Sequence, residues 1–158
     1  MHNPNDKAHW VDNQSEEMEF VLRYGIRLRL IMNPAKAEDR FAPDLFSVKL
    51  GSLADLKTQR EPYRTSDRYG VPTERCVTLN VYDLTRYSVI YGGGFSIYFW
   101  LDHPDNPENG VYEATCREIM DSITFKRRRI HGYMTRDGED GNKTHSWVLD
   151  VIDFRKVS

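Results

Sequence analysis

Hydrophobic and polar positions first become periodic near residue 13. From Asn13 to Gly25 the apolar side chains recur at the three- and four-residue spacing of a helix, and Asn13 with Glu16 has the form of a capping box. Gly25 is a residue type at which helices commonly end. Because the preceding residues are polar, the pattern predicts a flexible N-terminal tail over 1–12 and a single domain over 13–158.

Immediately after this helix the period becomes that of β-strands. Apolar and basic residues alternate over 26–30, and Asn33–Pro34 ends the segment. Residues 44–50 and 53–59 also alternate, with a glycine–serine turn between them. The first half of the chain is therefore predicted to form a helix, a strand and a hairpin, in that order.

The second half of the chain contains further strand patterns and a second helical segment. Strands are predicted over 76–81, 95–101 and 146–154, and a short helix is predicted to begin at Asp83. Residues 111–123 fit either a helix or a strand. Together the two halves predict an α/β protein with a mixed central β-sheet flanked by helices.

Composition is that of an ordinary globular domain. Of the 158 residues, 39% are hydrophobic and 29% are charged, and the length suffices for one domain core. Arg27 and Arg29 interrupt the longest apolar run, and no apolar leader is apparent, so we expect an intracellular, cytoplasmic protein without a membrane segment. Cys76 and Cys116 lack the close spacing of a zinc site, so we expect two reduced thiols.

The chemistry-bearing pattern lies on the predicted hairpin. Asp44 begins its first strand, and alternation on the second strand places Asp55, Lys57 and Gln59 on one face. Paired carboxylates are ligands for a hard divalent cation such as magnesium, and an adjacent ammonium stabilises charge on a phosphate. The alternative interpretation is a surface hairpin with one face of solvated charge.

Ala42-Pro43-Asp44 followed by Asp55-Leu56-Lys57, after a helix and a strand, resembles the PD-(D/E)XK nuclease superfamily over roughly residues 13 to 60. The resemblance implies a restriction-endonuclease-like core of order α-β-β-β-α-β and metal-dependent hydrolysis of DNA. Asp44 and Asp55 would bind Mg²⁺ or Mn²⁺, with the backbone carbonyl of Leu56 as a further ligand. Lys57 would assist the attacking water, and Gln59 would extend the same face.

The same family often adds a glutamate from the first helix. Glu16, Glu17 and Glu19 are the available residues, and Glu16 and Glu19 share one face at i, i+3 spacing. Glu16 stands at about the family's position but also fits the capping box. The sequence leaves the choice between Glu16 and Glu19 open.

A net charge of −2 excludes a broadly basic protein but allows a local basic surface. The run Lys126, Arg127, Arg128, Arg129 is the best candidate for contact with a DNA backbone. Small nucleases of this kind often act as homodimers, so a dimer is an expectation by analogy. Two alternatives remain: a non-catalytic DNA-binding or protein-interaction module of the same fold, and a structural or phage assembly protein.

Overall fold

The computed structural model describes residues 4–132 and 145–158, and for residues 4–13 it describes the helical backbone alone. The chain divides into two compact units, Met1–Leu56 and Lys57–Ser158. Helices and strands alternate along it, which confirms the predicted α/β class. No helix within the described residues is apolar over a stretch long enough to span a lipid bilayer.

In the first unit one long helix precedes three short strands. Helix α1 (Pro4–Leu28) leads into β1 (Leu30–Met32), and a 3-10 turn (Pro34–Ala37) follows it. Strands β2 (Leu45–Ser47) and β3 (Ser52–Gln59) form the predicted hairpin, but residues 48–50, predicted as strand, belong to the turn between them. The three strands pair antiparallel in chain order, with Leu30 opposite Ser47 and Leu45 opposite Ala54.

Helix α1 is longer than predicted at both ends. It begins at Pro4, where a tail was predicted, and it continues past Gly25, so the predicted strand over 26–30 is wrong for Ile26–Leu28. The chain leaves the helix at Arg29, whose φ of 55° is left-handed. Gly25 lies inside the helix, and glycine suits this position because the chain returns close to it: a Cβ there would lie 2.7 Å from the Leu30 carbonyl oxygen.

The second unit contains two separate sets of antiparallel strands. Strand β4 (Cys76–Asn80) pairs with β8 (His145–Asp150), which also pairs with β7 (Arg129–Gly132). Strand β6 (Gly110–Thr115) lies between two other strands, β5 (Ser96–Leu101) and β9 (Arg155–Lys156). The predicted strands over 76–81 and 95–101 are thus confirmed to within one residue. The strand predicted over 146–154 is wrong beyond Asp150, whose side chain caps a 3-10 turn (Val151–Asp153).

Two helices complete this unit. Helix α2 (Val81–Tyr91) follows β4 directly, with the Asn80 side chain as its N-cap. The ambiguous segment 111–123 proves to be both structures in succession, since β6 ends at Thr115 and α3 (Cys116–Phe125) begins there. Thr115 and Glu118 form a capping box, which is the sequence signal for this boundary.

Candidate functional site

Asp44 lies immediately before β2, in a backbone segment that is hydrogen-bonded to Asn33. The Asn33 backbone N–H donates to the Asp44 carbonyl oxygen at 3.0 Å, and its side-chain amide donates to the Pro43 carbonyl oxygen at 2.9 Å. Both Asn33 and Asp44 are buried, and Asp44 is 7% exposed. The Asn33–Pro34 turn therefore fixes the position of the first predicted ligand rather than merely ending a strand.

Asp44 and the Asp55–Leu56 segment are joined by two hydrogen bonds between side chain and backbone. The Leu56 backbone N–H donates to Asp44 Oδ2 at 3.2 Å, and the Asp44 backbone N–H donates to Asp55 Oδ1 at 3.4 Å. Asp55 lies within β3 and is only 2% exposed. The hairpin thus brings the two residues next to each other, as buried groups rather than as part of a solvated face.

A third carboxylate and one ammonium belong to the same cluster. Lys36 Nζ lies on the 3-10 turn after β1 and donates to Glu17 Oε1 of α1 at 3.1 Å. The same ammonium donates to Asp44 Oδ1. Glu17 is 5% exposed, so the helix contributes a buried carboxylate to the site. We call Glu17, Lys36, Asp44 and Asp55 the carboxylate cluster.

The carboxylate cluster combines three carboxylates with one ammonium in a buried place. Burying charged groups is costly unless each is compensated by opposite charge and hydrogen bonds. Lys36 compensates two of the carboxylates directly, and backbone N–H groups contact Asp44 and Asp55. The oxygen-rich donor set is the type that Mg²⁺ and Mn²⁺ take in proteins, so these residues fit the predicted cation chemically.

The cluster has the chemistry of a cation site but not the geometry of a preformed one. Within residues 4–132 and 145–158, no group of three or more His, Cys, Asp or Glu side chains is spaced to hold a metal ion. The Lys36 ammonium lies against Glu17 and Asp44, where it acts as the positive partner of both. Use of these carboxylates by a metal therefore requires Lys36 to yield part of its contacts.

The helix glutamate that shares the Lys36 ammonium with Asp44 is Glu17. Glu19 is exposed and Glu16 is partly exposed, whereas Glu17 is buried beside Phe20 on the inner face of α1. The predicted role of Glu16 or Glu19 stays a prediction. The helical period contains the signal for Glu17, since Glu17, Phe20, Val21 and Tyr24 recur on one face.

Lys57 and Gln59 follow Asp55 on β3 and have other partners in the second unit. Lys57 Nζ donates to Asp83 Oδ2 at 3.0 Å and lies 5.9 Å from the Tyr87 ring centroid. The Gln59 amide donates to the Glu61 carbonyl oxygen at 2.6 Å and accepts from Thr78 at 3.4 Å. The catalytic roles of Lys57 and Gln59 stay predictions.

Of the four basic residues predicted to contact DNA, three are exposed and one is partly buried in an ion pair. Lys126, Arg127 and Arg129 are exposed, at the end of α3 and the start of β7. Arg128 is partly buried and donates from Nε and Nη2 to Asp153 Oδ2 at 3.1 and 2.6 Å. Arg128 therefore has a structural partner, and three cations of the run remain directed to solvent or to backbone.

Two further titratable groups of the second unit, Cys76 and His103, are buried. Burial raises the pKa of the Cys76 thiol to about 12, with a smaller opposing effect from a hydrogen bond to Ser66. Burial also lowers the pKa of His103 below its ordinary value of 6.5, against the weaker attraction of Asp102. Neither group has the exposure of a reactive nucleophile or base.

Sequence reasoning did not identify Asn33 and Lys36 as site residues. Both lie in the connection between β1 and β2, which reads as a turn followed by charged residues. Their positions depend on the 3-10 turn that Asn33 caps by accepting from the Ala35 N–H at 3.2 Å. A lysine in a loop carries no periodic signal, so only the folded backbone brings Lys36 to Asp44.

Comparison with known proteins yields a remote structural likeness. No protein-family model and no curated protein sequence matches the chain. Among solved structures, a nuclease from a fusselovirus matches with a TM-score of 0.48 at 9% sequence identity. The match covers 92% of this chain and 80% of that chain.

Proposed function

We propose that this protein is a metal-dependent deoxyribonuclease whose site is the carboxylate cluster. The observation that carries the proposal is the reciprocal pair of hydrogen bonds between Asp44 and the Asp55–Leu56 segment. These bonds hold two buried carboxylates together at the start of a hairpin, with the Glu17 carboxylate joined through Lys36. Structural stability alone gives little reason to bury so many acidic groups, because a buried charge network seldom stabilises a fold more than apolar packing does.

The residues that would hold the cation are Asp44, Asp55 and the backbone carbonyl of Leu56, with Glu17 as the helix carboxylate. When bound, the cation supplies a Lewis acid for the phosphate and lowers the pKa of a coordinated water. The protein fixes the carboxylates beforehand: Leu56 N–H orients one oxygen of Asp44, and Asn33 holds the Asp44 backbone. These contacts limit the movement of Asp44, whereas Lys36 must still yield part of its contacts for a cation to bind.

Two lysines carry positive charge along this part of the chain. Lys36 holds Glu17 and Asp44 in place in the cluster described above. Lys57 leaves β3 on the same side as Asp55, because the two residues are separated by one position on a strand. We assign Lys57 the role of orienting the attacking water, which requires its ammonium to leave Asp83.

We further propose that Lys126, Arg127 and Arg129 contact the phosphate backbone of the substrate. All three are exposed, and phosphate contacts of this kind give affinity without sequence preference. Replacing all three by glutamine should weaken DNA binding and reduce its dependence on salt. The matched control is Arg155→Gln, since Arg155 is exposed and pairs with Glu113 at 3.1 Å. An unchanged salt slope in the triple variant would remove this role.

A second candidate function is a non-catalytic module that keeps the cluster as an internal ion-pair network. The Lys36 contacts favour it, because the ammonium already supplies positive charge to Glu17 and Asp44. The two candidates differ in one measurable property. A non-catalytic module has no need of divalent cations, whereas the nuclease loses all activity without them.

The test is cleavage of plasmid and single-stranded DNA with Mg²⁺ or Mn²⁺. Wild type is compared with Asp44→Asn and Asp55→Asn, which preserve size and remove charge, and with Asp121→Asn, an exposed acid on α3, as the matched control. We expect cutting by wild type and Asp121→Asn, and rates at the level of buffer for the two cluster variants. Equal rates in all four proteins would place catalysis elsewhere, and no cutting by any would favour the second candidate.

A further inference from the structure

Helix α1 carries a stripe of large apolar side chains that its own chain leaves exposed. Met18, Leu22 and Ile26 follow one another at four-residue intervals and are 53%, 80% and 96% exposed. This stripe lies beside the helix face that Phe20 and Glu17 bury. Isolated apolar residues on a surface are ordinary, but a continuous row of three on one helix indicates a contact surface.

A shallow groove runs along the same surface of the first unit. It has a volume of about 440 Å³ and is lined by side chains of α1, β1 and the β2–β3 turn, among them Val21, Ile26, Ile31 and Val48. Ile31 and Val48 are themselves exposed, so the apolar surface continues from the helix onto the strands. A protruding row and an adjacent groove therefore occur side by side on one surface.

The charged residues around the stripe are separated by sign along the helix. Glu16 and Glu19 lie in the part of α1 before Leu22. Arg23 and Arg27 lie after it, and Arg29 follows directly beyond the end of the helix. A second copy of the same helix in antiparallel orientation would set the acidic part of one copy against the basic part of the other. Such an arrangement is electrostatically complementary, whereas a parallel one would set like charges together.

We infer that this surface binds a second copy of the chain, with the two α1 helices antiparallel about a two-fold axis near Leu22. A two-fold contact uses the same patch on both partners, so one surface must supply both the projection and its recess. Here the Met18–Leu22–Ile26 row is the projection, and the groove beside it is the recess. Rows of this four-residue spacing interdigitate at a crossing angle of about −50°, the commonest packing of two helices.

Other occupants fit this surface less well. A nucleic acid offers phosphates, which Arg23 and Arg27 would attract but which the apolar row does not bind and which Glu16 and Glu19 would repel. A membrane-bound helix carries cations along its polar face, whereas the charges here are divided into an acidic and a basic part. A partner that complements these charges must place basic residues against the acidic part of α1 and acidic residues against its basic part. An antiparallel copy of this chain does so.

The test is the oligomeric state of the full chain, measured by sedimentation from nanomolar to about 100 µM protein. We expect a dimer in wild type and at least a 100-fold weaker association, as an order of magnitude, in Ile26→Glu, because each dimer loses two buried isoleucines. Ile26 is 96% exposed in the single chain, so this change should leave the fold intact, which circular dichroism checks. The control is Val89→Glu, on the exposed side of α2, where no change is expected.

A charge swap tests the antiparallel orientation separately. Glu19→Arg should weaken the dimer, and adding Arg23→Glu should restore much of the loss, since the double variant again pairs opposite charges. A monomeric wild type at every concentration would overturn the proposal, as would Ile26→Glu associating like wild type. A monomer that binds phosphatidylserine vesicles through Ile26 would also overturn it and identify a lipid surface as the occupant.

Discussion

Replacing Lys36 by methionine tests the carboxylate cluster without altering any carboxylate. Methionine keeps most of the apolar stem of lysine and removes the ammonium that contacts Glu17 and Asp44. Both carboxylates then stay buried without this positive partner. Removing one member of a buried ion pair typically costs 3–5 kcal/mol, so we expect a loss of about 3 kcal/mol in the free energy of unfolding at pH 7.

The assay is equilibrium unfolding in urea, supported by thermal melting. For a chain of this size a loss of about 3 kcal/mol corresponds to a fall of about 10 °C in Tm. The matched control is Lys57→Met, which removes an ammonium from the more exposed Lys57–Asp83 pair and should cost about 1 kcal/mol or less.

Divalent cations provide a second readout in the same experiment. If the cluster holds Mg²⁺, the cation should stabilise Lys36→Met more than wild type, because Lys36 no longer competes for Asp44 and Glu17. A loss below about 1 kcal/mol, equal to that of the Lys57→Met control, would contradict the buried-cluster reasoning.

Three further predictions concern buried positions outside the cluster. Cys76, with its pKa raised to about 12, should react with a disulfide reagent at pH 8 only as fast as the protein unfolds; rapid labelling of the native protein would contradict its burial. The pKa of His103 is lowered in the fold, so the unfolded chain binds a proton at higher pH than the folded chain does, and the free energy of unfolding should fall as pH drops below about 6.5. His103→Gln should flatten that dependence. A pH profile of the variant parallel to that of wild type would refute His103 as its origin. Gly25→Ala should destabilise the protein by about 1–2 kcal/mol, despite the better helix propensity of alanine, because the added Cβ meets the Leu30 carbonyl oxygen. The control Gly94→Ala, with open space around the added Cβ, should change stability little. Equal stabilities of the two variants would be inconsistent with the contact at Gly25.

The hairpin could be predicted from the sequence because its signals are local. Strict alternation on the second strand and a glycine turn before it define β3, and the position of Asp44 relative to Asp55 follows from that register. The capping box at Thr115 similarly contains the boundary between β6 and α3. Both features could be predicted because residues close together in the sequence determine them.

The extent of α1 and the membership of the cluster depend on tertiary structure. The alternation over 26–30 fits a strand, yet Ile26 to Leu28 are helical, and Ile26 lies almost entirely in solvent. Glu17 is one of three neighbouring glutamates in the sequence, and the packing of α1 identifies it as the buried one. Lys36 is brought to Asp44 by the Asn33-capped turn, a contact between positions that share no period.

The central claim is that Asp44 and Asp55 share a divalent cation, and direct titration tests it. Calorimetric titration of Mn²⁺ into wild type, Asp55→Asn and Asp121→Asn would measure binding independently of any substrate. The account predicts saturable binding to wild type and Asp121→Asn that is lost in Asp55→Asn. No saturable binding to wild type, or equal binding by all three proteins, would contradict it and leave the carboxylate cluster as an internal ion-pair network.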